Sequence, residues 1–240
     1  MSQNNFVFVA PMFNASDTLA RMLHSLYGQS YENWRLILID DISTESHKDR
    51  CSEILDAFAQ HGDRVTLIEN ESKHWEVANV LQGIKLCDES DIVCRIDADD
   101  WLTDLDALAI LNQVYSATGA DAVWTAHRWG FTDQNISAAL PSNANPYTHP
   151  WVSSHLKTFR KSLITDVRDE NFRGENGEYI KRAGDQAIYL PVLHRAKKRV
   201  YVPRVMYHYT IDLSPETFQT HDAKFQRDEA IYLRERGFIE

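Results

Sequence analysis

The stretch FVFVAPMFNASDTLARMLHSLYGQSYENWRLILIDD, from Phe6 to Asp41, decides the fold class. Two apolar runs in it, Phe6–Ala10 and Leu36–Ile39, have the length and composition of buried strands. Between them, leucines recur at helical spacing, at Leu19, Leu23 and Leu26. A strand, a helix and a second strand in this order predict the first unit of a parallel sheet that is covered by helices.

The same alternation continues through the first half of the chain. Further strands are predicted at Val65–Ile68, Ile92–Ile96 and Ala122–Thr125, and helical stripes at Val77–Ile84 and Leu105–Leu111. We therefore predict an α/β fold, an α/β/α sandwich around a mainly parallel sheet, in a single domain.

The second half of the chain is less regular. Two loops, Pro141–Pro150 and Asp166–Gly184, are interpreted as active-site loops because they are polar and rich in turn-forming residues. A helix is predicted to begin at Asp185 and to be disturbed or ended near Pro191. A strand at Val200–Tyr207 and a helical tail from Pro215 to Arg236 complete the prediction.

Composition and charge exclude several classes of protein. With 43% hydrophobic and 25% charged residues, the 240-residue chain is typical of a globular protein and not of a disordered one. Its formal net charge of -10 disfavours a general attraction to polyanions. Three widely spaced cysteines form no zinc pattern. The absence of a signal-like start and of a long apolar run predicts a cytoplasmic protein with no transmembrane segment.

Acidic residues follow two of the predicted strands. Asp40 and Asp41 come after the second strand, and Asp97, Asp99 and Asp100 after the fourth. In a parallel sheet these positions meet at one crevice, where clustered carboxylates favour a bound cation. Hard oxygen ligands without an adjacent cysteine favour Mg²⁺ or Mn²⁺ over zinc or copper. The alternative is that both groups only cap helices and turns.

Three blocks of the sequence together resemble family 2 glycosyltransferases of the GT-A fold. They are VFVAPMFNASDTLARMLHSLYGQSYENWRLILIDDIST (Val7–Thr44), IVCRIDADDWL (Ile92–Leu102) and RAGDQAIYLPVLHRA (Arg182–Ala196). They resemble, in order, the family's nucleotide-binding half, its Asp-x-Asp motif and the segment that bears its catalytic base. The resemblance implies residues 1–102 as the nucleotide-sugar-binding half, 103–214 as the acceptor and catalytic half, and 215–240 as a helical tail.

The resemblance also implies roles for individual residues on the donor side. Pro11, Phe13, Asn14 and Asp41 would hold the donor base, with Phe13 in place of the family's more usual Tyr. Asp97 would lie near the ribose and Asp99 would ligate the metal, although the acidic run can also be aligned with Asp100 as the ligand. The family's diphosphate-binding Arg-Asn pair lacks its Arg here, where the sequence reads Glu76–Leu81. Lys73 or Arg95 could compensate, or both could be ordinary surface charges.

On the acceptor side, Asp100 and Trp101 would border the transferred sugar, and the segment with Trp151 and His155 would shape the acceptor pocket. Some relatives place a last metal ligand or a diphosphate contact where His208 lies, although a histidine in a strand is more often packed. Asp185 is the implied general base, and a simple helix cap is the alternative. The implied reaction transfers a sugar with inversion from a nucleotide-diphosphate donor, most often a UDP-sugar, to a hydroxyl.

The sequence does not identify the acceptor of the transfer. A surface glycan or a glycolipid precursor is expected, and a hydroxylated base in DNA is the alternative, with basic residues as a phosphate-binding patch (Lys157, Arg160, Lys161, Lys197, Lys198, Arg199). Two other classes compete. A nucleotidyltransferase would need a Gly-rich basic loop after the first strand, which Pro11–Ser16 lacks. A catalytically inactive sugar-binding module would be expected to lose the carboxylates that this sequence retains.

Overall fold

A computed structural model describes residues 3–130, 132–210 and 220–240. Part of the predicted helical tail, from Pro215 to residue 219, lies outside the described residues. The strands are β1 (Phe6–Met12), β2 (Trp34–Asp40), β3 (Val65–Glu69), β4 (Ile92–Arg95), β5 (Trp101–Leu102), β6 (Ala122–Trp129), β7 (Lys157–Arg160) and β8 (Arg199–Tyr209). The helices are α1 (Leu19–Tyr27), α2 (Glu45–Ala59), α3 (Trp75–Ile84), α4 (Ala107–Thr118), α5 (Gly184–Arg195) and α6 (Thr220–Arg236).

Among the described residues the strands form one sheet in the order β3-β2-β1-β4-β7-β6-β8-β5. The pairs β1–β2, β1–β4, β2–β3 and β6–β8 are parallel, and β4–β7, β6–β7 and β5–β8 are antiparallel. The predicted mainly parallel α/β architecture is thus confirmed. Sequence reasoning missed the antiparallel β7 between β4 and β6, since the segment KTFR has no apolar run. It also missed β5 and helix α2.

The sheet separates two hydrophobic cores. Phe6 and Phe8 point to the core that contains α1 and α4, whereas Val7 and Val9 point to the core that contains α3 and α5. This opposite placement of successive residues is the two-residue period of a strand, and helices on both faces give the predicted sandwich. One boundary prediction was wrong. Helix α5 continues past Pro191 to Arg195, because Pro191 and its neighbours are buried against the second core.

Candidate active site

A cleft of about 1160 Å³ opens where β1, β2 and β4 end. It lies at the crevice expected for a ligand of an open parallel sheet. The residues just after the three strands line it, together with part of α3 and the segment before α5. The predicted site residues that line it are Pro11, Phe13, Asn14, Asp41, Lys73, Asp97 and Asp99.

One end of the cleft is formed by Phe13, Asp41 and Lys73. The Phe13 ring is 54% exposed, and Lys73 Nζ lies 3.4 Å from its centroid. The buried Asp41 carboxylate accepts hydrogen bonds from the His74 and Trp75 amides, at 2.8 and 2.9 Å, and from Asn70 Nδ2 at 3.0 Å. Burial alone would raise the pKa of Asp41, but these hydrogen bonds outweigh it and the pKa is lowered. Asp41 is therefore an ionised group that fixes the start of α3.

Asp40, by contrast, stabilises a turn. This was the alternative role predicted for both Asp40 and Asp41. Its Oδ1 accepts hydrogen bonds from the Ser43 amide at 3.0 Å and the Ser43 hydroxyl at 2.5 Å. Of the acidic pair after β2, only Asp41 lines the cleft.

The backbone beside this end of the cleft adopts unusual conformations. In the described part of the chain, the non-glycine residues with positive φ are Asn14, Ile42 and Trp75, at 53°, 65° and 65°. Asn14 and Trp75 line the cleft, and Ile42 follows Asp41. A branched residue such as Ile adopts this region only when its surroundings enforce it. Such strain is concentrated at functional sites in proteins, which supports a binding role for this wall.

The other end of the cleft is acidic. Ligand atoms of Asp97, Asp100 and His155 lie within 4.8 Å of one another. Asp97 is half-buried, and Asp100 is 1% exposed. Two carboxylate oxygens and one imidazole nitrogen form a donor set that fits a divalent first-row cation such as Mn²⁺. Asp99, which resemblance names as the metal ligand, is exposed and lines the cleft beside this group without belonging to it.

Asp100 is held from two sides. It accepts hydrogen bonds from the Tyr207 hydroxyl at 2.6 Å and from the Thr210 amide at 2.7 Å. Burial raises the pKa of Asp100 well above its ordinary value, and the neighbouring Asp97 and Asp99 raise it further. A cation placed in this group would reverse that effect, since it favours the ionised carboxylate.

The structure places His208 and Trp101 away from these carboxylates. The His208 ring stacks on Trp101 with a centroid distance of 3.7 Å, and both residues line a separate pocket with Arg128 and Asp133. The metal-competent group found among the described residues contains His155 and not His208, so the metal role of His208 stays a prediction. Trp151 packs partly buried against the second core and does not line the cleft.

Asp185 is the second residue of α5 and forms a buried ion pair. Its Oδ1 lies 2.7 Å from Lys157 Nζ, and its Oδ2 lies 3.7 Å from His155 Nε2. Burial would raise the pKa of Asp185, but Lys157 and then His155 outweigh it and the pKa falls well below its ordinary value. Ala183, and not Asp185, is the N-cap residue of α5. Asp185 lies in the first turn, where its carboxylate pairs with Lys157.

A second ion-pair group lies beside Asp185. The buried Arg95 guanidinium donates to Glu76 and Asp97, both at 2.8 Å, and to the Val9 carbonyl at 3.1 Å. Burial raises the pKa of Glu76 to about 7; Arg95 opposes this shift, and Asp97 and Asp185 add to it. Arg95 is therefore committed to the protein's own groups. Of the two candidates for the missing diphosphate-binding Arg, Lys73 is the one that lines the cleft.

Sequence reasoning missed Lys181 and Arg182, which line the cleft just before α5. The basic pair preceding Gly184-Asp185 was a visible signal for them. Asn79 also lines the cleft, and it is the Asn in the segment where the family carries its Arg-Asn pair. It is 1% exposed, and its side chain helps to lower the pKa of Asp41.

The surface patch predicted for DNA phosphates is not formed as expected. Lys157 is 1% exposed and neutralises Asp185 from within the site. Lys161 is paired with Glu89, and the Arg199 guanidinium donates to backbone carbonyls of Ala144 and Ser142. The phosphate-binding role of Lys157 was therefore wrong, because its charge is used internally.

Helix α6 holds the segment that leads to Asp185. The Glu229 carboxylate accepts hydrogen bonds from the amides of Lys181, Arg182 and Ala183, at 3.1, 2.7 and 3.0 Å. These amides precede or begin the first turn of α5 and have no intrahelical acceptor. The C-terminal helix is thus part of the site's support.

Glu229→Ala is expected to lower the free energy of unfolding by roughly 1–3 kcal/mol, since it leaves partly buried amides without their charged acceptor. Chemical denaturation measures this change. Glu235→Ala is the matched control, because Glu235 is exposed on the same helix. Its effect is expected to stay within about 0.5 kcal/mol. Equal losses in the two variants would contradict the role of Glu229.

None of the helices in the described ranges combines the length and apolar character that a bilayer span requires. The profile of glycosyl transferase family 2 matches residues 7–172. Glycosyltransferase GlyG of Streptococcus pneumoniae is 29% identical over 220 residues, which cover 84% of this chain and 69% of GlyG. The amylovoran biosynthesis glycosyltransferase AmsB of Erwinia amylovora is 33% identical over 105 residues. These cover 43% of this chain and 34% of AmsB, so the match spans about a third of that relative.

Solved structures show the same fold. S. aureus TarS 1-349 in complex with UDP-GlcNAc superposes with a TM-score of 0.71 at 15% identity, over 89% of this chain and 60% of that one. The mannosyltransferase PcManGT from Pyrobaculum calidifontis, in complex with GDP-Man and Mn²⁺, gives a TM-score of 0.60 at 17% identity. The superposition covers 98% of this chain and 70% of PcManGT. The chain belongs to glycosyl transferase family 2 and has the GT-A fold.

Proposed function

We propose that this protein transfers a sugar, with inversion, from a nucleotide-diphosphate donor to an acceptor hydroxyl, with Asp185 as the general base. The observation that carries the proposal is one cleft with two different ends. An aromatic ring, a fixed carboxylate and a lysine line one end (Phe13, Asp41, Lys73). Asp97 lines the other end, and it belongs to a metal-competent group whose other members, Asp100 and His155, are buried behind the cleft wall. A nucleoside fits the first end, and its diphosphate reaches toward the second.

On the donor side, the exposed Phe13 ring offers a flat apolar face to a base. Lys73, Lys181 and Arg182 supply positive charge along the cleft for the diphosphate. We take a UDP-sugar as the donor class because TarS, which superposes over most of this chain, is described with UDP-GlcNAc.

On the acceptor side, the low pKa of Asp185 keeps its carboxylate ionised and able to accept a hydrogen bond from the attacking hydroxyl. The proton moves to Asp185 as the acceptor oxygen bonds to the anomeric carbon, since that bond makes the hydroxyl strongly acidic. Lys157 holds the carboxylate in place. The acceptor is proposed to be a surface glycan or glycolipid precursor, in keeping with relatives named for amylovoran and teichuronic acid biosynthesis.

Asp97, Asp100 and His155 would hold Mn²⁺ or Mg²⁺. When bound, such a cation offsets the charge that develops on the departing diphosphate.

The proposal is tested by incubating the protein with a panel of UDP- and GDP-sugars and measuring release of the nucleotide diphosphate. Slow hydrolysis of a donor needs no known acceptor, so UDP release from at least one UDP-sugar is expected. Release from GDP-sugars alone would correct the base assignment. Failure of every nucleotide sugar to bind in calorimetry would overturn the proposal.

The two residues of the base-binding end are expected to respond differently to alanine. Phe13→Ala should weaken UDP binding about 10-fold, since a stacked base contributes roughly 1–3 kcal/mol, and should leave Tm unchanged because the ring is half exposed. Asp41→Ala should weaken UDP binding about 10-fold and also lower Tm, because it removes the acceptor of the His74 and Trp75 amides.

Calorimetry and thermal unfolding separate these outcomes. Phe13→Tyr is the control that keeps the stacking face and is expected to bind UDP like the wild type. Unchanged UDP affinity in Phe13→Ala would remove the base from this end of the cleft.

A further inference from the structure

A second concavity, which we call the basic groove, adjoins the cleft. It has a volume of about 580 Å³ and runs between α3 and the segment 173–181. Trp75, Gln82, Lys85, Arg173, Tyr179 and Lys181 line it. It shares Lys73, Trp75 and Lys181 with the cleft, so the two are continuous.

The charge of the basic groove is opposite to that of the whole protein. Of its described lining residues, four are Lys or Arg (Lys73, Lys85, Arg173, Lys181) and one is acidic, Glu178. Glu178 pairs with Lys181 at 2.7 Å, Lys73 pairs with Asp41, and Arg173 pairs with Asp169 outside the lining. Lys85 is exposed at the groove surface. The four cations thus face three carboxylates, which leaves an excess of one positive charge. In a chain of net charge -10, a local positive excess marks a place where a negative ligand is favoured.

The groove also offers flat faces and a free acceptor. The Arg173 guanidinium lies 4.0 Å from the centroid of the Tyr179 ring, and Arg182 lies 5.0 Å from that of Trp75. These side chains lie over the faces of the two rings, so only the remaining exposed parts of Tyr179 and Trp75 are open to a sugar. The buried Gln82 Oε1 has no hydrogen-bond donor among the described residues. A sugar hydroxyl is a donor that fits it.

We propose that the basic groove binds the acceptor of the transfer reaction, and that this acceptor is an anionic saccharide carrying phosphate or carboxylate groups. The inference rests on the proposed function, because that function supplies the general base to which the acceptor's reactive end is directed. Trp75 lines the groove, and the next residue, Glu76, packs against Gly184, which directly precedes Asp185. A chain seated in the groove therefore has its end on the side of the general base. The lysine and arginine side chains of the groove bind the phosphate or carboxylate groups of the saccharide, and the exposed parts of Trp75 and Tyr179 contact its sugar rings.

The test uses binding and needs no turnover. Pentamannose phosphate, neutral pentamannose and inorganic phosphate are titrated separately into the wild-type protein and into Lys85→Gln. Lys197→Gln is the charge-matched control, since the exposed Lys197 follows the far end of α5, about 18 Å from Gly184 for a helix of 12 residues. UDP is titrated into each variant to check that nucleotide binding in the cleft is unchanged.

The wild type is expected to bind the phosphorylated saccharide at least about 10-fold more tightly than either the neutral one or inorganic phosphate. Lys85→Gln should lose about 10-fold of this affinity, as expected for one charge-assisted contact, and Lys197→Gln should lose none. Arg173→Gln should lose a similar factor, with Tm recorded because Arg173 also pairs with Asp169. UDP affinity should be the same in all variants.

Three results would overturn the inference. They are equal binding of phosphorylated and neutral pentamannose, equal losses in Lys85→Gln and Lys197→Gln, and tighter binding of inorganic phosphate than of the phosphorylated saccharide. None of them bears on the proposed function, which fails only when nucleotide sugars do not bind or react. The two failures are thus distinguishable.

Discussion

Replacing Asp185 with asparagine is expected to lower kcat by about 10²–10⁴ while UDP affinity stays near that of the wild type. The amide accepts no proton from the acceptor hydroxyl, and Asp185 lies beside the nucleotide cleft without lining it. Steady-state kinetics gives kcat. The substrate is the donor identified by UDP release, and its hydrolysis is the measured reaction when no acceptor is known. Calorimetry gives the UDP affinity.

The structure adds a complication, because Asp185→Asn also leaves the buried Lys157 ammonium without its partner. Removing one partner of a buried ion pair commonly costs about 3–5 kcal/mol of stability. The double variant Asp185→Asn/Lys157→Met removes both charges. It is expected to regain most of the lost Tm and none of the lost activity. Recovery of kcat in the double variant would show that Asp185 acts only through the fold.

Removing divalent cations is expected to abolish turnover, and adding Mn²⁺ or Mg²⁺ should restore it. A second readout is independent of activity: UDP should bind at least about 10-fold more tightly with Mn²⁺ than with chelator, since a cation held by the acidic group also contacts the diphosphate. Asp97→Asn should remove most of this Mn²⁺ dependence.

Asp63→Asn is the control for the metal experiment, because Asp63 is an exposed carboxylate outside the cleft. Asp99→Asn and His155→Gln compare the ligand that resemblance names with the one that the geometry brings to the group. A full Mn²⁺ effect in Asp97→Asn, or full turnover in excess chelator, would rule out the proposed metal site.

The fold was predictable because its signals are local. Each apolar run of the first half became a strand within a few residues of its predicted bounds, as Phe6–Ala10 became part of β1. The rule that ligands bind at the ends of parallel strands predicts that Asp41 and Asp97 share one cleft, and both residues line it. Periodicity and topology thus suffice for the position of the site.

The remaining features of the site depend on contacts between distant parts of the chain. The antiparallel β7 brings Lys157 to Asp185, and α6 brings Glu229 to the amides before α5, 46 to 48 residues away. In the sequence, Lys157 looks like a surface charge, since a buried lysine is rare and only its partner explains it. His155 likewise lies in the acidic group because distant strands pair with each other, and no local pattern encodes that pairing.

Because Glu76 contacts both Arg95 and Gly184, these three positions constrain one another's substitutions during evolution. A methyl group at position 184 would overlap the Glu76 carboxylate, which is held in place by Arg95. Loss of Arg95 would in turn leave two carboxylates uncompensated. Positions 76, 95 and 184 are therefore linked, and substitutions at them should appear together in related chains and not singly.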